Sequence, residues 1–338
     1  MKQPITRSRF VRLTAAAAGI GAASAGRVRA ADQVFNYKLS NTAPADQPLN
    51  VRLTQMFDDV RKETKGRLNV QIFPNGALGS ETSLLSQLRS GGIQFMTTGT
   101  GVSSVVPEVT LPQVGFAFNS VKAGLAAYDG ALGVFVRAAM EKKGIFGFQY
   151  VYDIGMRVIT SSSKPIRTPE DLDGFKLRTP GEHVSLDLFA AFGASPTPMT
   201  YDQLYTALQT HLVDGQETPY QSIYFGKLYE VQKYLAVSNH QYTAFYLLSN
   251  TEVIAGLPPD IKASLMRNAQ KYAMLERQDN ERLNRTYVQQ LKDKGMAFND
   301  IDSAAMRKRL TAYYAKYRSE FGSVAWDALQ RAAGATLA

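Results

Sequence analysis

Segments with the two-residue period of a β-strand alternate along this chain with segments that have the period of an α-helix. The stretch "VFNYKLSN" at residues 34–41 reads as a strand, and apolar residues recur at helical spacing over residues 49–60. The stretches "GRLNVQIFPNG" and "IQFMTT" read as two further strands, and the helix-patterned "SETSLLSQLRSGG" between them has Ser80 as its predicted N-cap. Because strands that alternate with single helices form parallel sheets covered by helices, the sequence predicts an α/β fold.

The same alternation resumes after a change of pattern near Asp153 to Met156, which predicts a second α/β unit. The stretches "GMRVITS" and "FKLRTP" read as strands, and "GEHVSLDLFAAFGA" reads as a helix. The stretch "TYDQLYTALQTHLVDG" is predicted to be a helix that ends at Gly215, with a turn following in "DGQETP". From Pro258 to about Met296 the pattern is that of one charged helix, long enough to brace two lobes.

The N-terminal segment carries most of the excess positive charge of this 338-residue chain. Residues 1–30 contain six Lys and Arg, no acid and a weakly apolar run, which is typical of a secretory signal peptide. A basic arm on a cytosolic protein is the alternative. Removal of residues 1–30 would lower the formal net charge from +9 to +3, so nucleic-acid binding loses its main support. No later segment has the roughly eighteen uninterrupted apolar residues of a membrane span, and we expect an exported protein that is not membrane-embedded.

The common signatures of catalysis and of metal binding are missing from the sequence. There is no cysteine, which excludes disulfides, thiolate metal sites and cysteine nucleophiles. The histidines His183, His211 and His240 form no His-x-x-x-His pair, and neither a G-x-S-x-G elbow nor a P-loop occurs. We therefore predict no catalytic residue, no metal site and no cofactor.

Two arginines lie where an α/β sheet could bind a ligand. Arg178 ends the predicted strand "FKLRTP", and ligands bind in crevices outside the carboxyl ends of parallel strands. Arg157 lies on the strand just after the change of pattern. A guanidinium stays charged in a protein, so either arginine must meet an anion if it is buried. Spacing alone leaves open whether that anion is a neighbouring side chain or a ligand.

Seven segments, in order along nearly the whole mature chain, resemble the solute-binding proteins of tripartite ATP-independent periplasmic (TRAP) transporters. They are "TKGRLNVQIFPNGALGSE", "LRSGGIQFMTTG", "LPQVGFAF", "KPIRTPEDLDGFKLRTP", "FGASPTPMTYDQLYTALQTHLVDGQETP", "EVQKYLAVSNH" and "LPPD". The resemblance implies a bilobed, Venus-flytrap-like α/β protein with a long C-terminal helix that spans both lobes. Lobe I would contain residues 31–155 and about 244–283, and lobe II would contain residues 156–243 and about 284–338.

The function that this resemblance implies is capture of a small carboxylate-containing organic molecule in the periplasm. The resemblance also implies that the protein is a monomer and that it delivers the molecule to the small and large membrane subunits of a TRAP transporter. Two alternatives remain open. One is a sensory module that reports the ligand to a membrane receptor. The other is a lyase or isomerase on the same scaffold that uses Glu217 as its base.

The resemblance also implicates individual residues in ligand binding. They are Arg178, Arg157, Thr218, Tyr201, Asn41 and Glu217. Arg178 matches the arginine that clamps the ligand carboxylate in the family, and Arg157 matches a second arginine that supports or contacts the ligand in some members. Thr218 stands where many members have an asparagine, so a hydroxyl replaces a ligand-contacting amide. It also breaks the pattern of the members that bind a metal ion together with the acid, which is consistent with the prediction of no metal.

Overall fold

The computed structural model describes residues 33–338, and the predicted signal peptide lies outside these residues. Within the described residues the α/β class is confirmed. The strands are β1 (Phe35–Ser40), β2 (Leu68–Phe73), β3 (Phe95–Thr98), β4 (Ile145–Gly147), β5 (Tyr152–Ser161), β6 (Lys176–Thr179), β7 (Ser195–Pro198), β8 (Gly215–Pro219), β9 (Tyr234–Val237), β10 (Tyr242–Asn250) and β11 (Ala297–Asp300).

Helices of five to 35 residues accompany these strands. They are α1 (Pro48–Glu63), α2 (Glu81–Ser90), α3 (Val121–Asp129), α4 (Ala131–Glu141), α5 (His183–Ala191), α6 (Tyr201–Gln209), α7 (Tyr220–Phe225), α8 (Thr251–Ala255), α9 (Pro259–Asp293), α10 (Ser303–Lys308) and α11 (Thr311–Ala333). Ser80 caps α2 as predicted, because its hydroxyl accepts a hydrogen bond from the backbone N–H of Ser83. In the described part of the chain, no helix is both long enough and apolar enough to span a membrane.

The strands form one mixed sheet with the order β2-β1-β3-β10-β5-β8-β6-β7. Strands β2, β1 and β3 run parallel to one another, and so do β7, β6 and β8. Strand β10 is antiparallel to β3 and β5, and β5 is antiparallel to β8. The expected parallel pairing therefore holds within each of these two groups and is wrong for β5 and β10, which run antiparallel to their neighbours. The physical reason is that β5 and β10 carry the chain between the two parallel groups in opposite directions.

The bilobed arrangement follows from how β5 and β10 change partners along their length. The first part of β5 pairs with β10 from Tyr242 to Phe245, and its second part pairs with β8. The remaining part of β10 pairs with β3. We call β1, β2, β3, α1 and α2 lobe I, and β6, β7, β8, α5, α6 and α7 lobe II. The predicted residue boundaries of the lobes stay a prediction.

Helix α9 confirms the expected long helix and contacts both lobes. It packs against α1 of lobe I, against β5 at the crossing and against α7 of lobe II. Its buried residues near the N-terminus, such as Leu265, join the core of lobe I, whereas Leu291 near its C-terminus joins the core of lobe II. A rigid element that is packed on both lobes limits the directions in which the lobes can move against each other.

The segment around Gly215 differs from the expectation. Helix α6 ends at Gln209, and the stretch "GQETP" is the buried strand β8, neither the end of a helix nor a turn. The polar side chains of this segment are typical of a turn in the sequence. They are buried in a strand because their hydrogen-bond partners lie far away along the chain. The amide of Gln216 bonds Thr160, and the carboxylate of Glu217 bonds Arg157, both on the neighbouring β5.

A buried acid pair joins α9 to β5 where the chain crosses between the lobes. The carboxylate of Glu276 accepts hydrogen bonds from the backbone N–H of Asp153 at 2.8 Å and from the Asn280 amide at 2.5 Å. One oxygen of Asp153 accepts from the Tyr242 hydroxyl at 3.0 Å, and the other has no partner among the described residues. Burial raises the pKa of both carboxyl groups. In Glu276 the negative charge of Asp153 is a second, smaller cause of the rise.

Asp153→Asn is expected to stabilise the protein at neutral pH and to change little in acid. Burial raises the pKa of Asp153 to about 6, so the folded state binds the proton more tightly than the unfolded state does. The stability that this group contributes is therefore fully present below about pH 4, falls between about pH 4 and 6, and stays lost above that range. Asparagine is uncharged throughout, and we expect a gain on the order of 2 to 3 kcal/mol at pH 7.5.

Urea denaturation of the Asp153→Asn variant and the wild type at pH 4.5 and pH 7.5 measures this difference. The control is Asp58→Asn, which removes an exposed carboxyl group on α1. Its effect on the free energy of unfolding should be within about 0.5 kcal/mol at both values. An Asp153→Asn effect that is the same at both pH values would show that the burial of this carboxyl does not control stability.

Candidate ligand-binding site

A cavity lies between the lobes, at the carboxyl ends of β1, β3, β6 and β8. This is the edge at which open α/β sheets bind ligands. The polar lining from lobe I and the loops that follow its strands includes Thr42, Gln47, Glu81, Thr100 and Gln113. The lining from lobe II includes Arg178, Tyr201 and Thr218, and the crossing strands contribute Ile154, Arg157, Thr243 and Phe245.

Arg178 is a buried cation that contacts no carboxylate in the part of the chain that the structure describes. It is the third residue of β6 and is 3% exposed. Its Nε donates to the carbonyl oxygen of Met199 at 2.9 Å, and among the described residues no acceptor bonds its terminal nitrogens and no carboxylate lies within ion-pair distance. Burial lowers the pKa of Arg178 to about 10, so it remains charged at neutral pH. A buried unpaired charge is costly, and this arrangement favours an incoming anion.

Arg157 is in the opposite situation, although it lines the same cavity. Its guanidinium forms a two-pronged ion pair with the Glu217 carboxylate, in which one terminal nitrogen lies 2.7 Å from Oε1. The same nitrogen also donates to the Glu217 carbonyl oxygen at 2.7 Å, and the other terminal nitrogen donates to the Thr243 hydroxyl at 3.0 Å. Protein groups therefore satisfy this guanidinium before any ligand arrives.

The Glu217 carboxylate is fully buried behind the cavity wall and is held on two sides. Besides Arg157, His240 contacts it, with Nε2 of the imidazole 3.0 Å from Oε2. Burial alone would raise the pKa of Glu217, but Arg157 and His240 together hold it below its usual value. Burial also lowers the pKa of His240, so at neutral pH the imidazole is neutral and its Nε2–H donates to the carboxylate. Glu217 is therefore an anion committed to two protein partners.

The other residues that the sequence implicated lie at or just behind the cavity wall. Tyr201 lines the cavity, and its hydroxyl donates to the Ser222 carbonyl oxygen at 2.6 Å. Thr218, on β8, also lines the cavity. Asn41 is buried behind the wall, where its side chain bonds Asn50 and the backbone N–H of Ala43. Asn41 and Glu217 thus support groups that line the cavity, and the ligand contacts proposed for all six residues stay predictions.

Several polar residues of the site were missed in the sequence. Glu81 is the first residue of α2 and looked like an ordinary helix start, but it lines the cavity and accepts a hydrogen bond from the Thr98 hydroxyl at 2.9 Å. Burial raises the pKa of Glu81. One feature of the sequence could have indicated Glu81. It follows the loop after β2, which places it on the same side of the sheet as Arg178.

Two residues that line the cavity, Gln47 and Thr100, form hydrogen bonds between the lobes. The Gln47 amide donates to the side-chain oxygen of Gln221 at 2.8 Å, and the Thr100 hydroxyl donates to the Glu182 carboxylate at 3.2 Å. Gln221 belongs to α7, and Glu182 precedes α5, so both bonds join lobe I to lobe II. Among the described residues, the cavity lining combines the Arg178 guanidinium, which has no partner anion, with hydroxyl, amide and carboxyl groups. This set suits a small anion with hydroxyl groups of its own.

Comparison with known proteins places the chain among bacterial binding proteins. Residues 39–320 match the family model described as bacterial extracellular solute-binding protein, family 7. The 2,3-diketo-L-gulonate-binding periplasmic protein of Escherichia coli is 29% identical over 295 residues, which cover 87% of this chain and 88% of that protein. The family match spans both lobes and includes every residue that was implicated from the sequence.

Two solved structures share the fold. The TRAP periplasmic solute-binding protein from Polaromonas sp JS666, bound to D-erythronate, is 30% identical with a TM-score of 0.84, over 89% of this chain and 99% of that one. The TRAP periplasmic solute-binding protein from Xanthobacter autotrophicus Py2, with bound β-D-galacturonate, is 26% identical with a TM-score of 0.83, over 89% of this chain and all of that one. These matches confirm the resemblance to the solute-binding proteins of TRAP transporters.

Proposed function

This chain belongs to family 7 of the bacterial extracellular solute-binding proteins, and from that premise we propose that it captures a small polyhydroxy carboxylate in the periplasm and delivers it to the membrane subunits of a TRAP transporter. Export through the basic, Ala-rich segment at residues 1–30 would bring it to that compartment. The solute is bound and released without chemical change.

The unpaired Arg178 guanidinium is the observation that carries this proposal. A carboxylate placed against its terminal nitrogens can accept two parallel charge-assisted hydrogen bonds, which fix both the position and the plane of the carboxylate. Each such bond contributes roughly 1.5 to 3 kcal/mol relative to water. Because closure of the lobes excludes water, the ion pair forms where its electrostatic energy is larger than at an exposed surface.

The polar lining supports a ligand that carries hydroxyl groups. Glu81 has an oxygen beyond the one that Thr98 occupies, and the polar residues Gln47, Gln113 and Thr218 also line the cavity. An unsubstituted fatty acid would place an apolar chain against this polar lining and offer it no hydrogen bond, which costs binding energy. The ligand named for the Escherichia coli relative and the ligands bound in the two solved structures are all carboxylates with hydroxyl groups.

Binding rather than catalysis is supported by the condition of Glu217, the residue that an enzyme on this scaffold would use as a base. Arg157 and His240 occupy its carboxylate, and the pKa of Glu217 is held below its usual value. A carboxylate that is stabilised as an anion in this way is a weak base. Incubation of the protein with its ligand should therefore return the ligand unchanged, as measured by mass spectrometry.

A thermal-shift panel with matched compounds tests the proposed ligand class. D-Galacturonate, D-glucuronate and D-erythronate are compared with D-galactose and erythritol, which lack the carboxylate, and with butyrate, which lacks the hydroxyl groups. We expect at least one of the three acids to raise the melting temperature by about 5 °C at 100 times its Kd, because only the folded state binds it.

Neither the two neutral compounds nor butyrate should shift the melting temperature at the same concentrations. A shift with D-galactose equal to that with D-galacturonate would contradict the role of the carboxylate, and a butyrate shift equal to that of D-erythronate would contradict the role of the hydroxyl groups. Succinate, added to the panel, distinguishes a polyhydroxy acid from a dicarboxylate.

A further inference from the structure

A strained residue lies in the loop at residues 113–118, which runs from the cavity toward α3. Phe116 has a φ of +57°, a left-handed conformation that a bulky residue rarely adopts, and it is buried. Such a conformation is energetically unfavourable for a residue with a side chain and persists only where the surroundings hold it. The groups that hold Phe116 therefore indicate what the loop is fixed for.

Two neighbouring tyrosines of α11 bind the peptide groups next to Phe116. The hydroxyl of Tyr313 accepts from the backbone N–H of Gly115 at 3.1 Å and donates to the carbonyl oxygen of Val184 at 3.2 Å. The hydroxyl of Tyr314 donates to the Gly115 carbonyl oxygen at 2.9 Å. Both tyrosines are buried, so these two hydroxyls take the place of water at the only polar backbone groups of Gly115.

The same loop is bonded to the segment that holds the charged groups of the site. The backbone N–H of Phe116 donates to the His240 carbonyl oxygen at 2.6 Å, and the Gln241 amide donates to the Gln113 carbonyl oxygen at 2.5 Å. The Gln241 carbonyl oxygen in turn accepts from the backbone N–H of Arg157 at 2.8 Å. Through its imidazole, His240 also holds the carboxylate that pairs with the Arg157 guanidinium.

We propose that Tyr313 and Tyr314 are positioning residues for the ligand site: by holding Gly115 they fix the strained loop, and the loop fixes Gln113 and the His240–Gln241 segment against the cavity. Neither tyrosine lines the cavity. The C-terminal helix α11 is thus part of the machinery that sets ligand affinity, acting through the loop. The part of this inference that concerns affinity rests on the proposed function.

The double variant Tyr313→Phe/Tyr314→Phe tests the proposal by removing only two oxygen atoms. In the ligand-free protein, hydrogen exchange followed by mass spectrometry should show at least tenfold faster exchange in peptides that cover residues 113–118 and 238–241. With the best acid of the thermal-shift panel, calorimetry should show about a tenfold higher Kd.

The control is Tyr317→Phe, one turn further along α11. Its buried hydroxyl donates to the Asp187 carboxylate at 2.6 Å and does not bond the loop. This variant should lose stability without a change in exchange over residues 113–118 or in Kd, which separates positioning from a purely structural contribution. If the double variant does not fold, Tyr314→Phe alone gives the same comparison.

Exchange over residues 113–118 and a Kd that both match the wild type would overturn the proposal. So would an equal rise in Kd for Tyr317→Phe, because the effect would then follow stability. If none of the panel acids binds the wild type, the assigned ligand class fails, and hydrogen exchange alone decides whether the tyrosines fix the loop.

Discussion

The variant Arg178→Met is expected to lose binding of the carboxylate ligand while the ligand-free protein stays at least as stable as the wild type. Loss of two charge-assisted hydrogen bonds should raise Kd by at least about 100-fold. Stability should not fall because the buried guanidinium has no partner anion within residues 33–338, so its removal abolishes a desolvation penalty of several kcal/mol. The variant also loses the hydrogen bond from Arg178 to the Met199 carbonyl oxygen, which lowers its stability by about 1 kcal/mol.

Calorimetric titration with the best panel acid measures the first effect, and urea denaturation without ligand measures the second. The matched control is Arg137→Met, which removes a half-buried guanidinium that bonds the carbonyl oxygens of Tyr128 and Gln149 away from the cavity. This control should bind the ligand as the wild type does. Undiminished affinity in Arg178→Met would remove Arg178 from the site.

The variant Arg157→Met is expected to destabilise the protein strongly, by about 3 to 5 kcal/mol, although it makes the same substitution in the same cavity wall. The difference lies in Glu217, which is fully buried and would keep only the neutral His240 as a partner. An uncompensated buried carboxylate is costly, or it takes up a proton. The loss of stability should therefore be smaller in acid, where Glu217 can be protonated, than at pH 7.5.

A second substitution separates this cause from lost packing. In Arg157→Met/Glu217→Leu both charges are replaced by apolar groups, and much of the stability should return, because a buried ion pair adds little compared with apolar packing. Urea denaturation of the wild type, Arg157→Met, Glu217→Leu and the double variant gives the coupling between the two positions. Equal destabilisation by Arg157→Met and Arg178→Met would contradict the distinction between an arginine paired with Glu217 and an arginine that awaits a ligand anion.

Local pattern was sufficient to predict the elements whose signals lie within a few residues. The cap at Ser80, the strand that carries Arg178 and the long helix α9 are predictable from spacing and turn residues, because these features depend on neighbours along the chain. The lobes were implied by resemblance to a family, and the family match confirms that resemblance.

Contacts between distant residues were not predictable in the same way. Strand β8 looked like a turn because its polar side chains are satisfied by β5, about sixty residues earlier. For the same reason residue spacing alone could not distinguish Arg157 from Arg178, and only the resemblance to the family gave the two arginines different roles. The difference between a satisfied and a free guanidinium depends on Glu217, and His240 gave no signal because a single histidine shows no spacing.

A crystal structure of the protein with the panel acid that gives the largest thermal shift tests the central claim most directly. The prediction is a carboxylate bound by both terminal nitrogens of Arg178, with Arg157 still paired to Glu217 and the hydroxyl groups of the acid facing Glu81 and Gln47. A ligand whose carboxylate lies away from Arg178, or one that displaces Glu217 from Arg157, would contradict it.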